Sequence, residues 1–327
     1  MKRKLFSVLL SAFALLLLMG AGPAPEQETP MLAEEESATL HNVALETETQ
    51  SLIKAGEADN SAAAELAKPA NEQTLTLKED MDDKLLFDGV KAPKTLGKVQ
   101  RNGVTYVDLG PTAKLLDPKA KLTWDKKSGS SVVTTDKLHL TVRVGDYYVE
   151  ANGRYLYLGE PVQAINGHVV LPLNIIAKCF DAKVTWDNTA KAVRVTRGSG
   201  AIKSGSAFYN QDDLFWLSRV ITAESGNQPL KGKMAVGNVV MNRVASPIYP
   251  NTVQGVLAQK NQFSTYQGGR LAKRTPNTAS VIAAKLVLDG GVVEETKGAL
   301  YFDSSRSSWA SRNRTCITTI GGHKFYR

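Results

Sequence analysis

Cysteine and histidine are scarce in this chain of 327 residues. It contains two cysteines, Cys179 and Cys316, and four histidines, of which only His323 lies beyond residue 200. None of them has the spacing of a metal site, so we predict a protein without a metal or other cofactor. The cysteines fall in different predicted domains, and the sequence leaves open whether they form a disulfide or stay as buried free thiols.

An apolar run long enough to span a membrane is also missing from the N-terminal region. The run from Leu5 to Met19 has fifteen residues and follows the basic segment Met1–Lys4. This combination is short for a membrane span and typical of a secretory signal, so we predict a signal peptide or N-terminal anchor over 1–22 and an exported protein. Pro23 and Pro25 crowd the cleavage sites, which leaves a secreted and a membrane-tethered form as alternatives.

Aromatic residues are absent from residues 26–80, which carry thirteen acidic side chains against three lysines. Such a stretch buries too little apolar surface to offset its chain entropy, so we predict a disordered acidic linker over 23–95. Residues 202–327 have the opposite balance, with sixteen Lys and Arg against seven Asp and Glu. A basic surface on an exported protein indicates an anionic partner such as a bacterial wall, with ordinary solubilising charge as the alternative. Nucleic acid is disfavoured, since no binding motif is present.

An internal repeat occupies the middle of the chain. At an offset of 64 residues the copies share an Asn-Gly pair, a leucine, an Ala-Lys pair and an aspartate: Asn102-Gly103, Leu109, Ala113-Lys114 and Asp117, then Asn166-Gly167, Leu173, Ala177-Lys178 and Asp181. For each copy we predict a hairpin turn, a strand, a short helix and then a pair of strands that includes a Thr-Trp-Asp sequence. We interpret Trp124 and Trp186 of these sequences as core anchors, with sugar-binding platforms as the alternative.

This repeat, and especially INGHVVLPLNIIAKCFDAKVTWD at residues 165–187, resembles the N-terminal domain family named after copper amine oxidases. We therefore assign a β-rich repeat domain with short helices to residues 96–198. No copper-ligand cluster is visible in the sequence, so the resemblance implies no metal here. A targeting or wall-contact role is the use that we expect.

A mainly helical domain is predicted over 210–327, after a Gly/Ser linker at 199–209. Asn210 or Asp212 is placed to cap a first helix that stops at Gly226. The second helix begins near Pro229. Their apolar positions recur at steps of three and four residues: Leu214, Leu217, Val220 and Ile221, then Met234, Val236, Val239, Val240 and Val244.

The end of the chain changes from helix to strand. Thr275-Pro276 opens a further predicted helix, with Gly290 as its stop. GALYFDSS is predicted as a strand, and CITTIGGHKFYR as a hairpin that turns at Gly321-Gly322. The predicted class is α+β multidomain: a mainly helical domain with a small C-terminal β element, preceded by the β-rich repeat domain.

Glu224 lies at the predicted bend between the first two helices. It follows Val220 and Ile221 by four and three residues, so it shares the helix face that points to the core. Burial and the negative end of the helix dipole both raise the pKa of a carboxyl group at this position. A carboxylic acid with a raised pKa suits protonation of a glycosidic oxygen, although a solvated helix-end glutamate remains the alternative.

The residues around Glu224, AESGNQPLKGKMAVGNVVMNRVASPIYPNTV, are followed by NQFS and then by GALYF, SSW and TTIGGHKFY. Together they resemble the spore cortex-lytic type of bacterial cell-wall hydrolase, from about residue 212 to the C-terminus. The resemblance implies a lysozyme-like fold with Glu224 as its single catalytic glutamate. It implies cleavage of the peptidoglycan glycan strand after N-acetylmuramic acid, in cell wall or spore cortex, during sporulation or germination.

Gln228 departs from the family pattern, because many members carry a second acid at this position. A hydrolase of the inverting or retaining kind needs a second carboxylate. A lytic transglycosylase needs only one, because the muramic C6 hydroxyl attacks intramolecularly while one glutamate acts as acid and then as base. We therefore predict a transglycosylase, with a muramidase-type hydrolase as the alternative.

Substrate-binding candidates come from the resembling motifs. Gln262 and Phe263 offer an amide beside an aromatic face. Tyr266 and Tyr301 are further candidates. Asn242 and Arg243 either line the groove or tie the second helix to the following loop. Trp216, Phe302 and Trp309 are interpreted as core residues, and His323 as structural.

Three other functions are weighed against glycan cleavage. A zinc amidase needs several histidine ligands, and the domain has only His323. A cysteine peptidase built on Cys316 and His323 needs a thiolate at a helix start, whereas Cys316 begins a predicted strand. A wall-binding module with a degenerate site would explain Gln228 but not the complete motif around Glu224.

Overall fold

The structure is a computed structural model that describes residues 84–327. The predicted signal at 1–22 and the acidic linker up to residue 83 lie outside the described residues. Residues 84–327 belong to one compact unit. Within this part of the chain, no helix has both the length and the apolar character that crossing a membrane requires.

The N-terminal part of the described chain is β-rich. Its strands are β1 Leu85–Phe87, β2 Val90–Lys91, β3 Lys98–Arg101, β4 Val104–Asp108, β5 Lys121–Asp125, β6 Ser130–Thr134, β7 His139–Arg143, β8 Tyr148–Ala151, β9 Arg154–Tyr157, β10 Gln163–Ile165, β11 His168–Pro172, β12 Lys183–Asp187 and β13 Ala192–Thr196. Its helices are α1 Leu109–Leu116 and α2 Leu173–Cys179. The strands form three sheets, in the orders β12-β13-β1-β2, β10-β11-β4-β3 and β5-β6-β7-β8-β9.

The predicted repeat is present as two equivalent units. Asn102 and Gly103 have positive φ angles of 49° and 77°, and Asn166 and Gly167 have 50° and 82°. These angles are those of the tight hairpin turn that Asn-Gly favours. Each turn leads into a strand, β4 or β11, and then into a helix, α1 or α2. Because β4 pairs with β11, the two copies share one sheet and one core.

The ordered domain begins earlier than predicted. Strands β1 and β2 lie at 85–91, within the segment predicted as disordered up to residue 95. Leu85 and Phe87 are buried, and β1 runs parallel to β13 with Leu85 opposite Val193. Three consecutive apolar residues thus add a strand to the sheet of the second copy. The acidic composition of the preceding stretch gave no indication of this strand.

The prediction that both repeat tryptophans are core anchors is wrong. The exposed fraction is 49% for Trp124 and 56% for Trp186. Each lies on a strand at the edge of its sheet, β5 or β12, where no neighbouring strand covers the ring. The sugar-platform alternative for Trp124 and Trp186 therefore stays a prediction.

The segment predicted as a Gly/Ser linker, 199–209, packs against the β-rich domain. The Ile202 amide donates to the Cys179 carbonyl at 2.9 Å, and the Gly205 amide donates to the Asn152 carbonyl at 2.8 Å. A Cβ atom on Gly205 would lie 2.4 Å from the Gly153 carbonyl oxygen, so this close approach requires glycine. A short helix, α3 (Gly205–Phe208), follows.

The C-terminal part is helical with a three-stranded sheet, as predicted. Its elements are α4 Gln211–Ser225, α5 Leu230–Val244, α6 Val253–Ala258, α7 Thr278–Leu288, β14 Tyr301–Asp303, α8 Trp309–Asn313, β15 Cys316–Ile320 and β16 His323–Tyr326. The sheet order is β14-β16-β15, and the hairpin turns at Gly321-Gly322. Helix α4 is capped by Asn210, whose side chain accepts from the Asp213 amide, and it ends at Gly226. Helix α7 begins two residues later than Pro276, because Asn277 caps it by accepting from the Ser280 amide.

A buried interface joins the β-rich part to the helical part. The Arg154 guanidinium of β9 donates from Nε and Nη2 to both carboxylate oxygens of Asp289, at 2.7 and 2.8 Å. Asp289 follows α7, and its other cation partner is Lys178, at 2.6 Å. Its side chain is 1% exposed, and that of Arg154 is 8% exposed. Tyr155 and Tyr209 are buried in the core cluster of the helical domain, so the two parts share apolar packing as well as this ion pair.

Candidate active site

Glu224 lies in the last turn of α4, above the buried residues Val220 and Ile221. Its side chain is partly buried, and the Thr265 hydroxyl donates to its Oε1 atom at 3.3 Å. Burial raises the pKa of Glu224 above its usual value, while the Thr265 hydrogen bond and the positive charge of Arg274 act in the opposite direction. The carboxyl group has both the position and the direction of pKa shift that the sequence predicted.

The bend that follows Glu224 is held by a side chain of α5 and by the residue that caps α7. The Gly226 carbonyl accepts from Lys233 Nζ of α5 at 2.9 Å and from Asn277 Nδ2 at 3.3 Å. Lys233 is almost fully buried, and its side chain supplies a donor and a positive charge at the C-terminal end of α4. Glu224 therefore sits on a fixed helix end.

Gln228 connects this bend to the C-terminal hairpin. Its Oε1 atom accepts from the Gly322 amide at 2.8 Å. A Cβ atom on Gly321 would lie 2.1 Å from the same oxygen, so the turn approaches Gln228 this closely only because it is made of glycine. The amide at the position of the missing second acid thus supports the hairpin.

The other carboxylates of the helical domain have partners or lie far along the chain. Asp289, Glu294 and Glu295 form ion pairs with Arg154 and Lys178, with Lys297 and with Lys231 respectively. Asp303 accepts from the Ser305 amide and from the Ser308 hydroxyl. Asp212 and Asp213 belong to the first turn of α4, about 17 Å from Glu224 at 1.5 Å per residue.

Phe263 is a core residue, which contradicts its prediction as the aromatic face of a substrate contact. Its side chain is only 4% exposed and packs in the core, 6.5 Å from the Phe302 ring. Gln262, beside it, is exposed, and its Oε1 atom accepts from Arg243 Nη1 at 2.9 Å. The NQFS motif therefore anchors a loop through Phe263 and presents Gln262 at the surface.

Asn242 and Arg243 follow the second of the two predicted alternatives. Asn242 Nδ2 donates to the Ala299 carbonyl at 2.9 Å, and Arg243 Nε donates to the Leu300 carbonyl at 2.7 Å. Both side chains thus tie α5 to the segment that enters β14.

Tyr266 and Tyr301 are both partly exposed. The Tyr266 ring lies 5.3 Å from Trp216, and the Tyr301 ring lies 5.6 Å from Trp309. Trp216 is partly buried against the core, whereas Trp309 is 52% exposed, so its prediction as a core residue is wrong.

Three functional candidates were not predicted from the sequence: Thr265, Arg274 and Arg314. Thr265 directly follows the NQFS motif, which is the signal that would have marked it. Arg274 and Arg314 carried no local signal, since both lie in irregular stretches, and only the fold shows which groups their charges act on.

Both cysteines are free thiols, and Cys316 lies apart from His323. Cys179 is a buried free thiol whose pKa is raised by burial to about 12, and Cys316 is exposed and also free. Cys316 lies opposite Tyr326, whereas His323 lies at the turn end of the same hairpin, about 10 Å or more along the strands. Burial lowers the pKa of His323, whose ring packs edge-on against Phe302. In residues 84–327, no group of three or more His, Cys, Asp or Glu is arranged to hold a metal.

Two families of known domains match this chain. Residues 227–326 match the Cell Wall Hydrolase family, and residues 87–195 match the copper amine oxidase N-terminal domain family. The second match begins within β1, in agreement with the early start of the ordered domain.

Named proteins and solved domains are similar to part of this chain. The spore cortex-lytic enzyme of Bacillus cereus is 36% identical over 121 residues, which are 36% of this chain and 45% of that protein. The catalytic domain of the Bacillus cereus SleB protein is 30% identical with a TM-score of 0.33, over 40% of this chain and all of that domain. The catalytic domain of the germination-specific lytic transglycosylase SleB from Bacillus anthracis is 31% identical with a TM-score of 0.34, over 38% of this chain and all of that domain.

The chain thus spans less than half the length of the curated relative. The family assignment made from the sequence is confirmed at the level of domains. The chain carries a cell wall hydrolase domain similar to that of spore cortex-lytic enzymes, preceded by a domain of the copper amine oxidase N-terminal type.

Proposed function

We propose that this protein cleaves the glycan strand of peptidoglycan after N-acetylmuramic acid, with Glu224 as the catalytic acid of a lysozyme-like domain. The observation that carries the proposal is the partly buried Glu224 carboxyl group, whose pKa is raised by burial and which Thr265 orients. The similarity to spore cortex-lytic enzymes supports the choice of substrate. The proposed partners are peptidoglycan in cell wall or spore cortex, reached by an exported protein.

One acid suffices when the product is an anhydro sugar. The protonated Glu224 gives its proton to the glycosidic oxygen, and the bond from that oxygen to C1 of the muramic residue breaks. The muramic C6 hydroxyl oxygen then forms a bond to C1, and its proton passes to the Glu224 carboxylate. The acid is regenerated, no water is consumed, and the strand ends in a 1,6-anhydro ring.

The surroundings of the other carboxylates favour this mechanism over hydrolysis with two acids. A second catalytic carboxylate lies about 5 to 10 Å from the first in hydrolases of that type. In the helical domain, Asp289, Glu294 and Glu295 are held in ion pairs, and Asp212 and Asp213 lie at the other end of α4. Asp303 accepts hydrogen bonds from the Ser305 amide and the Ser308 hydroxyl. The muramidase-type hydrolase remains the second candidate, distinguished by its product.

Digestion of purified sacculi tests the proposal. We expect the full chain to solubilise peptidoglycan and to release glycan fragments that keep their stem peptides. Release of free stem peptides instead would indicate an amidase, and absence of any release would indicate a wall-binding module.

The Thr265 hydrogen bond makes a prediction for the pH dependence. The hydroxyl stabilises the ionised Glu224 and lowers its pKa against the larger effect of burial. Thr265→Val removes this bond, so the pKa of Glu224 rises further and the acid form persists to higher pH. In a profile of kcat against pH, we expect the limb that descends with rising pH to move to higher pH. Arg274→Gln, which removes a positive charge, should move it in the same direction. A limb that stays in place or moves to lower pH would contradict Glu224 as the acid.

A further inference from the structure

A group of aromatic rings and arginines lies beside the loop that carries the NQFS motif. We call Tyr249, Tyr301, Trp309, Arg243 and Arg314 the aromatic shelf. The hydroxyl of Tyr249 donates to that of Tyr301 at 3.1 Å, and the ring centroids of Tyr301 and Trp309 are 5.6 Å apart. Trp309 and Arg314 are exposed, whereas Arg243 is 4% exposed, so the shelf has a buried base and an open surface.

Two guanidinium groups share one ring of the shelf. The Arg243 Cζ atom lies 5.5 Å from the Tyr301 centroid, and the Arg314 Cζ atom lies 5.2 Å from it. Arg314 is also 4.9 Å from the Trp309 centroid. Each cation is attracted by the ring faces, and Arg314 Nη2 also donates to the Tyr301 hydroxyl at 3.5 Å.

No carboxylate of the described chain neutralises this charge. In residues 84–327, four other arginines pair with an acidic side chain, whereas Arg243 and Arg314 do not: Arg101, Arg154, Arg194 and Arg197. Arg243 instead donates to a carbonyl and to an amide oxygen. An anion that binds at the exposed Arg314 would form a charge-assisted hydrogen bond with a guanidinium group that has no acidic partner among residues 84–327.

The shelf is connected to Glu224 through one short loop. Gln262 accepts from Arg243 at one end of the loop, and Thr265 donates to Glu224 at the other. These two loop residues are three positions apart, so their backbones are separated by at most about 10 Å. The loop that orients Glu224 is therefore the same loop that contacts the buried base of the shelf.

We propose that the aromatic shelf binds a carboxylate of the stem peptide attached to the glycan beside the cleaved bond. Arg314 contacts the carboxylate, and the exposed Trp309 ring packs on the peptide or on the adjoining sugar. This inference rests on the proposed function, because it adds a peptide subsite to the same glycan site. A peptide subsite at the shelf makes the rate of cleavage depend on whether the glycan carries acidic peptides.

Two substrates and one matched pair of variants test the shelf. The substrates are sacculi with intact stem peptides and the same sacculi after an amidase has removed them. For Arg314→Gln, we expect kcat/KM on intact sacculi to fall about tenfold, mainly through KM, and to stay within about twofold on stripped glycan. Arg312 is the control, because it is exposed two residues away and donates to Ser307, outside the shelf. Arg312→Gln should leave both rates unchanged.

A binding measurement separates failure of the shelf from failure of the proposed function. We expect a soluble disaccharide-peptide to bind the full chain carrying Glu224→Gln in titration calorimetry, and to bind about tenfold more weakly when Arg314→Gln is added. Unchanged affinity, or equal rate losses on both substrates, would overturn the shelf. If the wild-type chain digests neither substrate, the proposed function fails, and the calorimetric comparison still decides whether the shelf binds the peptide.

Discussion

Glu224→Gln is expected to lower the rate of peptidoglycan solubilisation by about 10³-fold, the scale of a lost general acid. Glutamine keeps the size of the side chain and an oxygen that can accept from Thr265, but it has no proton to give to the glycosidic oxygen. Turnover of sacculi, followed by the fall in turbidity and by released muropeptides, measures the effect. A variant with more than a tenth of the wild-type rate would contradict Glu224 as the acid.

Two controls separate this loss from damage to the fold. Glu294→Gln removes an exposed carboxylate of the same domain, paired with Lys297 at 3.5 Å, and should leave the rate unchanged.

Thermal unfolding gives the second control. Burial raises the pKa of Glu224, so its stabilising contribution is present at low pH and is lost as the pH rises through the folded-state pKa. Above that pH, Glu224→Gln should be at least as stable as wild type.

Arg154→Met is expected to lower the free energy of unfolding by about 3–5 kcal/mol, as when one partner of a buried ion pair is removed. The substitution leaves Asp289, at 1% exposure, with Lys178 as its remaining cation partner. Denaturant unfolding of the full chain measures the change. Because the ion pair spans the two parts of the molecule, the helical domain should lose stability together with the β-rich part.

A surface variant and a double variant are the controls for this interface. Lys297→Met removes an exposed pair with Glu294 and should change stability by only about 0–1 kcal/mol. Adding Asp289→Leu to Arg154→Met should recover most of the loss, since no buried charge then lacks its partner. Equal losses in Arg154→Met and Lys297→Met, or no recovery in the double variant, would contradict a buried interface.

Local patterns were sufficient to predict the elements around Glu224. The cap at Asn210 or Asp212, the stop at Gly226 and the turn at Gly321-Gly322 are set by side-chain and backbone preferences within a few residues. The stop and the turn are confirmed, and of the two caps the structure uses Asn210. The position of Glu224 on the core side of α4 follows from helical spacing in the same way.

Contacts between distant segments could not be predicted from these patterns. The side chain of Phe263 is directed by its packing against Phe302, and the rings of Trp124 and Trp186 are exposed because their strands lie at sheet edges. The ion pair of Arg154 with Asp289 joins residues 135 positions apart. None of these features leaves a periodic signal, and the apparent Gly/Ser linker gave no sign of the packing that holds it.

The product of digestion tests the one-acid mechanism most directly. Sacculi are digested to completion by the full chain, and the muropeptides are identified by mass spectrometry without prior reduction. We expect new ends that are 1,6-anhydro-muramic residues, one water lighter than the hydrolysed form. Reducing muramic ends in their place would contradict this mechanism and would require a second catalytic carboxylate.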